Sequence, residues 1–223
     1  MILIIMNDSY ILNEKIQFPY IIGVAGGSGS GKTTLCERII NTIKIKFKNS
    51  INENIVIINQ DSYYKGGNSE TNYDIPESID FNLLIEHLKI LISGGEIEYP
   101  IYDFSTHRRK TETIIKKSAK VIIVEGILIF TQYELLKLLK LKIFVTAGEA
   151  TMIFRRIERD MYERGRTFNE IKIRYLRDVE DSYTQYVYPS QRHADFVVNN
   201  RNGVYTNLDI ILYYFEHILE YTS

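Results

Sequence analysis

The 223-residue sequence predicts an α/β fold: a five-stranded parallel sheet flanked by helices, with a small β-hairpin appendage and a helical lid. Three observations carry that expectation. Short, almost continuously apolar runs alternate with segments of helical period, as βαβ units require. A glycine-rich stretch joins the first run to the first helical segment, and between residues 96 and 116 the alternation gives way to two short strand-like runs.

The five sheet strands are expected at Tyr20 to Ala25, Asn54 to Asn59, Val121 to Glu125, Leu141 to Thr146 and Asp195 to Asn199, each apolar enough to be buried on both faces. A helix is expected from Thr33 to Phe47. A second runs from Phe81 to Ser93, with Asp80 as N-cap, an apolar stripe through Phe81, Leu84, Ile85 and Leu88, and Gly94-Gly95 as the stop. Ile97 to Phe104 and Thr111 to Ile115 form the hairpin, outside the main sheet. Glu149 to Arg166 reads as a further helix whose arginines, Arg155, Arg156, Arg159, Arg164 and Arg166, accumulate toward a glycine-containing tip.

Composition narrows the function classes. With 27 Lys+Arg against 28 Asp+Glu the net charge is -1, which argues against a duplex-DNA binder resting on a strongly basic face. The 45% hydrophobic content supplies a core and rules out wholesale disorder. The single cysteine, Cys36, allows neither a disulfide framework nor a cysteine zinc site, and it is expected to pack in the first helix of a protein from a reducing, cytoplasmic compartment. Met1 to Met6 is apolar, but it lacks a positive flank and is too short for a secretory core or a membrane span, so residues 1–19 read as an appendage that could add an edge strand.

Gly26-Gly27-Ser28-Gly29-Ser30-Gly31-Lys32-Thr33 matches G-x-x-x-x-G-K-[ST] and lies between a strand and a helix, the context a phosphate-binding loop needs. Its glycines let backbone N–H groups converge on phosphates, the helix N-terminus adds its dipole, Lys32 reaches the outer phosphates, and the Thr33 hydroxyl suits Mg²⁺. Thr34 extends the loop into the helix. Val121-Ile-Ile-Val-Glu125 ends on an acid at the carboxyl edge of the sheet, where ligands of open α/β sheets bind; Glu125 is the expected second Mg²⁺ residue, directly or through water.

A switch GTPase would carry Asn-Lys-x-Asp, and none occurs. Ile92-Ser-Gly-Gly-Glu96 resembles a transporter ATPase signature, but Gly94-Gly95 serves as a helix stop and Glu125 lacks an adjacent second carboxylate. A small-molecule kinase remains. It needs a carboxylate to take or orient the acceptor proton, and Asp61, closing the second strand, is that candidate. The arginine helix is expected to act as a lid over residues 155–170 that brings cations over the phosphoryl group; alternatively Glu158, Asp160 and Glu163 pair with it on a solvated face.

Taken as an ordered set, the phosphate loop, Gln60-Asp-Ser-Tyr-Tyr64, Tyr73-Asp-Ile-Pro76, Pro100-Ile-Tyr-Asp-Phe104 with Ser105-Thr-His107-Arg, Val124-Glu-Gly126-Ile, Arg155-Arg-Ile-Glu-Arg-Asp160, Glu163-Arg-Gly-Arg166 and Tyr188-Pro-Ser-Gln-Arg-His-Ala-Asp195 resemble the uridine kinase family of P-loop kinases, over roughly Tyr20 to Val198. The resemblance implies a kinase domain over 20–223, with the hairpin inserted at about 96–116. It implies ATP γ-phosphoryl transfer to the ribose 5'-hydroxyl of uridine or cytidine in pyrimidine salvage. Asp61 would be catalytic and Asp74 and Arg166 would hold the ribose. Tyr102 and His107 would contact the pyrimidine, with Phe104 and Tyr64 as walls. Arg156 would reach the nucleoside, and Arg159 and Arg164 would clamp phosphates. The co-substrate would be ATP with Mg²⁺, and the assembly a homo-oligomer, a tetramer in the family. No nucleic-acid or membrane partner is expected.

Three places depart from the family pattern, the smallest being Tyr73, which stands for a frequent phenylalanine and adds a hydroxyl needing a partner. Arg174 stands where a glutamine usually helps to hold the nucleoside, which leaves base selectivity open. Asn199-Asn200-Arg201 replaces a Pro-Arg-Gly loop against the donor base, which leaves GTP open as donor. Related kinases acting on ribulose 5-phosphate or pantothenate, and a nucleotide-binding regulatory protein without transfer, are the alternative readings.

Overall fold

The computed structural model describes residues 19–46 and 55–220. The expected appendage at residues 1–19 lies, Pro19 apart, outside the described residues, as does Phe47 at the end of the first expected helix.

Strand β1 (Tyr20–Gly26) leads through the glycine loop into α1 (Lys32–Lys46). β2 (Ile55–Asn59) is followed by a tight turn at Gln60–Tyr63 and then by α2 (Phe81–Ile92), whose N-cap Asp80 accepts from the Leu83 N–H. The hairpin β3 (Glu96–Asp103) and β4 (Arg108–Lys117) forms a separate two-stranded sheet. β5 (Val121–Gly126), a short α3 (Tyr133–Leu136), β6 (Leu141–Thr146) and α4 (Glu149–Tyr162) come next. After α5 (Phe168–Arg174) the chain stays helical to Ser190, passing through π turns at Tyr175–Val179 and Tyr183–Val187. β7 (Phe196–Arg201), β8 (Val204–Tyr205) and α6 (Leu208–Glu220) complete the described chain.

The main sheet has the order β2-β5-β1-β6-β7-β8. All five expected strands are parallel neighbours, and β8 adds a short antiparallel sixth at the edge. Two residues pair there after a tight reversal through Asn202 and Gly203, both at positive φ, too brief an alternation to read as a strand from sequence. Both faces of the sheet are covered. Ile22, Val24, Ile123, Ile143 and Val145 pack with Leu35, Ile39 and Ile43 of α1 and with Ile211 and Phe215 of α6. Ile21, Ile58, Ile122, Val124 and Phe144 face Phe81, Leu84, Leu88 and Leu91 of α2 and residues of the hairpin. Successive residues of β1 and β5 therefore enter opposite cores, which is why these runs are apolar without alternation. Cys36 is fully buried on α1, and burial pushes its thiol pKa up.

The lid departs from the single helix expected to Arg166. α4 stops at Tyr162, and the tip turns through Gly165 at φ 65. A new helix then starts on Thr167, whose side chain accepts from the Glu170 N–H while Glu170 accepts from the Thr167 N–H. That Thr-x-x-Glu box is a sequence-level helix start, and it explains the helical column over 168–190 that hydrophobic period alone does not reveal.

Candidate active site

The carboxyl ends of β1, β2 and β5 meet on one side of the sheet, so the glycine loop, Asp61 and Glu125 share one edge by topology. They line a cavity of about 710 Å³ that also takes in the hairpin and both lid helices. Every expected site residue lines it except Gly26, Gly27 and Ser30 of the loop itself.

The loop is held from below. Gly29 sits at φ 81 with the Met152 carbonyl where a Cβ would be, and Gly31 at φ 98 packs on Asn200 and Tyr205 in the same way. Only glycine satisfies both the φ and the close approach. Asn200 donates to the Ser30 carbonyl at 2.9 Å and the Tyr205 hydroxyl to the Gly31 carbonyl at 2.8 Å. These two anchors on β7 and β8 escape sequence reading, because nothing local marks a residue 170 positions away as a loop support.

Lys32 is buried and its ammonium donates to the Gly27 carbonyl at 3.0 Å. Burial pushes its pKa down against the pull of Glu125 and Asp61. The Thr33 hydroxyl donates to Glu125 at 2.8 Å. Burial raises the Glu125 pKa, with Lys32 and Thr33 opposing. A hydroxyl and a carboxylate side by side at the foot of a phosphate loop are the hard oxygen donors Mg²⁺ takes together with phosphate oxygens and water. No cluster of three or more His, Cys, Asp or Glu side chains able to hold a metal occurs among the described residues.

Asp61 occupies the turn after β2, where Asn59 accepts from its N–H at 2.9 Å. It acts electrostatically on Lys32 on one side and on Tyr64, Tyr102 and Arg164 on the other. The far end of the cavity is aromatic. Tyr64 packs against Tyr73 and Tyr102 at centroid distances of 5.5 and 5.2 Å, and Tyr102 against Phe104 at 5.2 Å. His107, at φ 56 on the hairpin tip, stacks on Tyr73 at 5.1 Å with only 14° between planes. Burial, then Arg174, Arg166 and Arg164, push the His107 pKa down, which disfavours its protonation. Burial and Arg166 likewise lower that of Arg174.

Between the two ends the lid arginines are tied to carboxylates. Arg156 forms a two-pronged pair with Asp74 at 3.0 and 3.2 Å, with both side chains only 11% exposed. Burial works against the Arg156 charge, but Asp74 raises its pKa overall. Asp160 receives Arg159 at 2.9 Å, Arg164 at 3.2 Å and Arg166 at 2.9 Å. The expected alternative of a solvated basic face is therefore only half right: Asp160 does pair with the arginines, but it does so at 1% exposure, and although burial raises its pKa, Arg164, Arg159 and Arg156 lower it overall. Arg159 also donates to Ser28 and Arg155 to the Gly29 carbonyl, so the lid rests on the phosphate loop. Asp74 pairs with Arg156, not with Arg166, a combination that no spacing along the chain suggests.

Comparison with known proteins agrees with this geometry. The sequence profile of the phosphoribulokinase/uridine kinase family matches residues 21–207. A uridine kinase of Clostridium novyi is 39% identical over 208 residues, covering 90% of this chain and 97% of that protein. One from Lactobacillus johnsonii is 39% identical over 187 residues, covering 81% and 86%. Among solved structures, a Bacillus stearothermophilus protein described as a possible uridine kinase shares the fold with a TM-score of 0.56 at 18% identity, over 85% of this chain and 93% of that one. Loop, strand acid, lid and hairpin thus occur together in a sequence matched over most of its length, and the chain belongs to the phosphoribulokinase/uridine kinase family.

Proposed function

We propose that the protein transfers the γ-phosphoryl group of ATP to the ribose 5'-hydroxyl of uridine or cytidine, as in pyrimidine salvage. One observation carries the reading: a single cavity has a phosphate loop at one end, an aromatic wall at the other, and Asp61 in electrostatic reach of both. A flat base is well held between aromatic faces with a few polar groups, here Tyr64, Tyr102, Phe104 and His107. The names of the relatives, uridine kinases over nearly their full length, point the same way.

In this reading the loop N–H groups and Lys32 hold the β- and γ-phosphates, and Thr33 and Glu125 hold Mg²⁺. The cation supplies charge neutralisation on the donor phosphates when bound. Asp74 and Arg166 hold the ribose and Arg156 fixes Asp74. Asp61 accepts the 5'-hydroxyl proton as the oxygen attacks in line, while Arg159 and Arg164 stabilise charge on the transferring group. The aromatic hairpin favours a nucleoside over ribulose 5-phosphate or pantothenate, neither of which offers a flat ring to stack. Residues 1–19 remain an appendage to a domain over 20–223.

No helix among the described residues is long and apolar enough to cross a membrane. A cytoplasmic homo-oligomer acting on small molecules completes the proposal. Its test is ADP release from Mg-ATP, and from Mg-GTP, with uridine, cytidine, ribulose 5-phosphate, pantothenate or no acceptor. Nucleoside-dependent release is the expected result. Stimulation by ribulose 5-phosphate or pantothenate alone would overturn the substrate assignment, and no stimulation by any of the acceptors would overturn the kinase reading.

A further inference from the structure

Among the described residues β2 is an edge strand, and its outward N–H and C=O groups face no other described strand. Two hairpin side chains cover them instead. Lys116 of β4 donates to the Ile57 carbonyl. Two residues on, the Tyr99 hydroxyl of β3 accepts from the Asn59 N–H at 3.1 Å and donates to the Asn59 carbonyl at 3.3 Å. The same hydroxyl accepts from Ser62 at 2.8 Å, so the phenol grips both ends of the turn that contains Asp61. The Asn59 backbone is held in this way, and its side chain accepts from the Asp61 N–H. The Lys116 ammonium lies 3.6 Å from the centre of the Tyr99 ring and fixes it from above. Burial pushes the Lys116 pKa down to about 8, so it is still charged at neutral pH and the cation–ring contact persists.

From this arrangement we infer that Tyr99 and Lys116 are positioning residues for Asp61: the hairpin that walls the acceptor end also sets the aim of the carboxylate. The inference rests on the proposed role of Asp61. Neither residue lines the cavity, so neither touches substrate. Each acts through the Asn59–Ser62 turn, where a hydroxyl that meets three partners at once leaves none of them an equivalent replacement when removed.

The test is a double-mutant cycle on turnover. Tyr99→Phe keeps the ring and its packing, and it is expected to lower kcat about tenfold while KM for nucleoside and nucleotide moves less than about twofold. In a background of Asp61→Asn the same change is expected to be silent, because its effect runs through the missing carboxylate. Lys116→Met, which keeps the stem, is expected to lower kcat about threefold and also to be silent in that background. Ser62→Ala supplies the same reading should Tyr99→Phe fold poorly, since it removes one donor to the Tyr99 hydroxyl. An equal loss with and without Asp61, or a lowered melting temperature with kcat unchanged, would reduce the network to ordinary edge packing and overturn the inference. Unchanged turnover in Asp61→Asn alone would overturn the role of Asp61 itself, and the cycle separates that result from the others.

Discussion

The two ends of the cavity are built by different means. The phosphate end is one contiguous stretch, Gly26 to Thr34, whose shape follows mainly from backbone conformation and from the β1–loop–α1 connection, with Asn200 and Tyr205 supporting its carbonyls from below. The acceptor end is assembled from β3, β4, the turn after β2, and both lid helices, joined by side-chain pairs such as Asp74 with Arg156 and His107 with Tyr73. A backbone-built site withstands most distant substitutions; a site held by cross-element pairs fails when one partner is removed. The first kind of end is expected to bind ligand as it stands, and the second to depend on how the lid and hairpin meet.

Four measurements break or sharpen that contrast. Lys32→Ala removes the only buried cation of the loop, and turnover is expected to fall about a thousandfold with the melting temperature nearly unchanged, since the backbone carries the loop's shape. Asp61→Asn keeps size and hydrogen bonding but loses the base. Turnover about a hundredfold lower, with nucleotide affinity intact in titration calorimetry, is the expected outcome.

Asp74→Asn should reveal the pairwise construction of the acceptor end. It leaves the buried Arg156 guanidinium without its carboxylate, a loss of about 3 kcal/mol in denaturant unfolding, together with a higher nucleoside KM. Among the described residues no buried ion pair holds the loop, so the contrast would collapse if Lys32→Ala cost as much stability. The smallest effect is on pH dependence. The folded His107 pKa lies below its ordinary 6.5, so protonation is disfavoured in the folded state, and any stability linked to this ring is lost as pH falls below the ordinary value. Acid should also place a fourth cation beside Arg164, Arg166 and Arg174. Nucleoside KM is expected to rise several-fold as pH falls below the ordinary histidine value while nucleotide KM stays flat. A parallel rise in both would show that the acid effect is not confined to the acceptor end.

What could be read from sequence follows the same division. The strand order's five parallel members and the loop were legible because each is encoded locally, by an apolar run or by glycine spacing. Glu125 and Asp61 were legible as strand-end acids, since parallel topology sends every strand end to one edge. The roles assigned to Tyr102, His107, Arg156 and Arg166 came only through family resemblance, because no spacing says that a hairpin tip meets a lid helix. Asp160 was visible as a charge among charges; that it is buried and gathers three arginines depends on α4 ending at Tyr162 and turning back through Gly165. Asn200, Tyr205 and Tyr99 were unreadable for the same reason. Each supports a segment remote in sequence, with a side chain that looks like ordinary packing.

The account stands most directly on the independence of the two ends, and titration calorimetry of uridine and of a non-hydrolysable ATP analogue against Lys32→Ala and Asp74→Asn measures it. The predicted result is a crossed pattern: Lys32→Ala loses nucleotide affinity and keeps that for uridine, and Asp74→Asn does the reverse. Loss of both ligands in either variant, or loss of neither in Asp74→Asn, would contradict it.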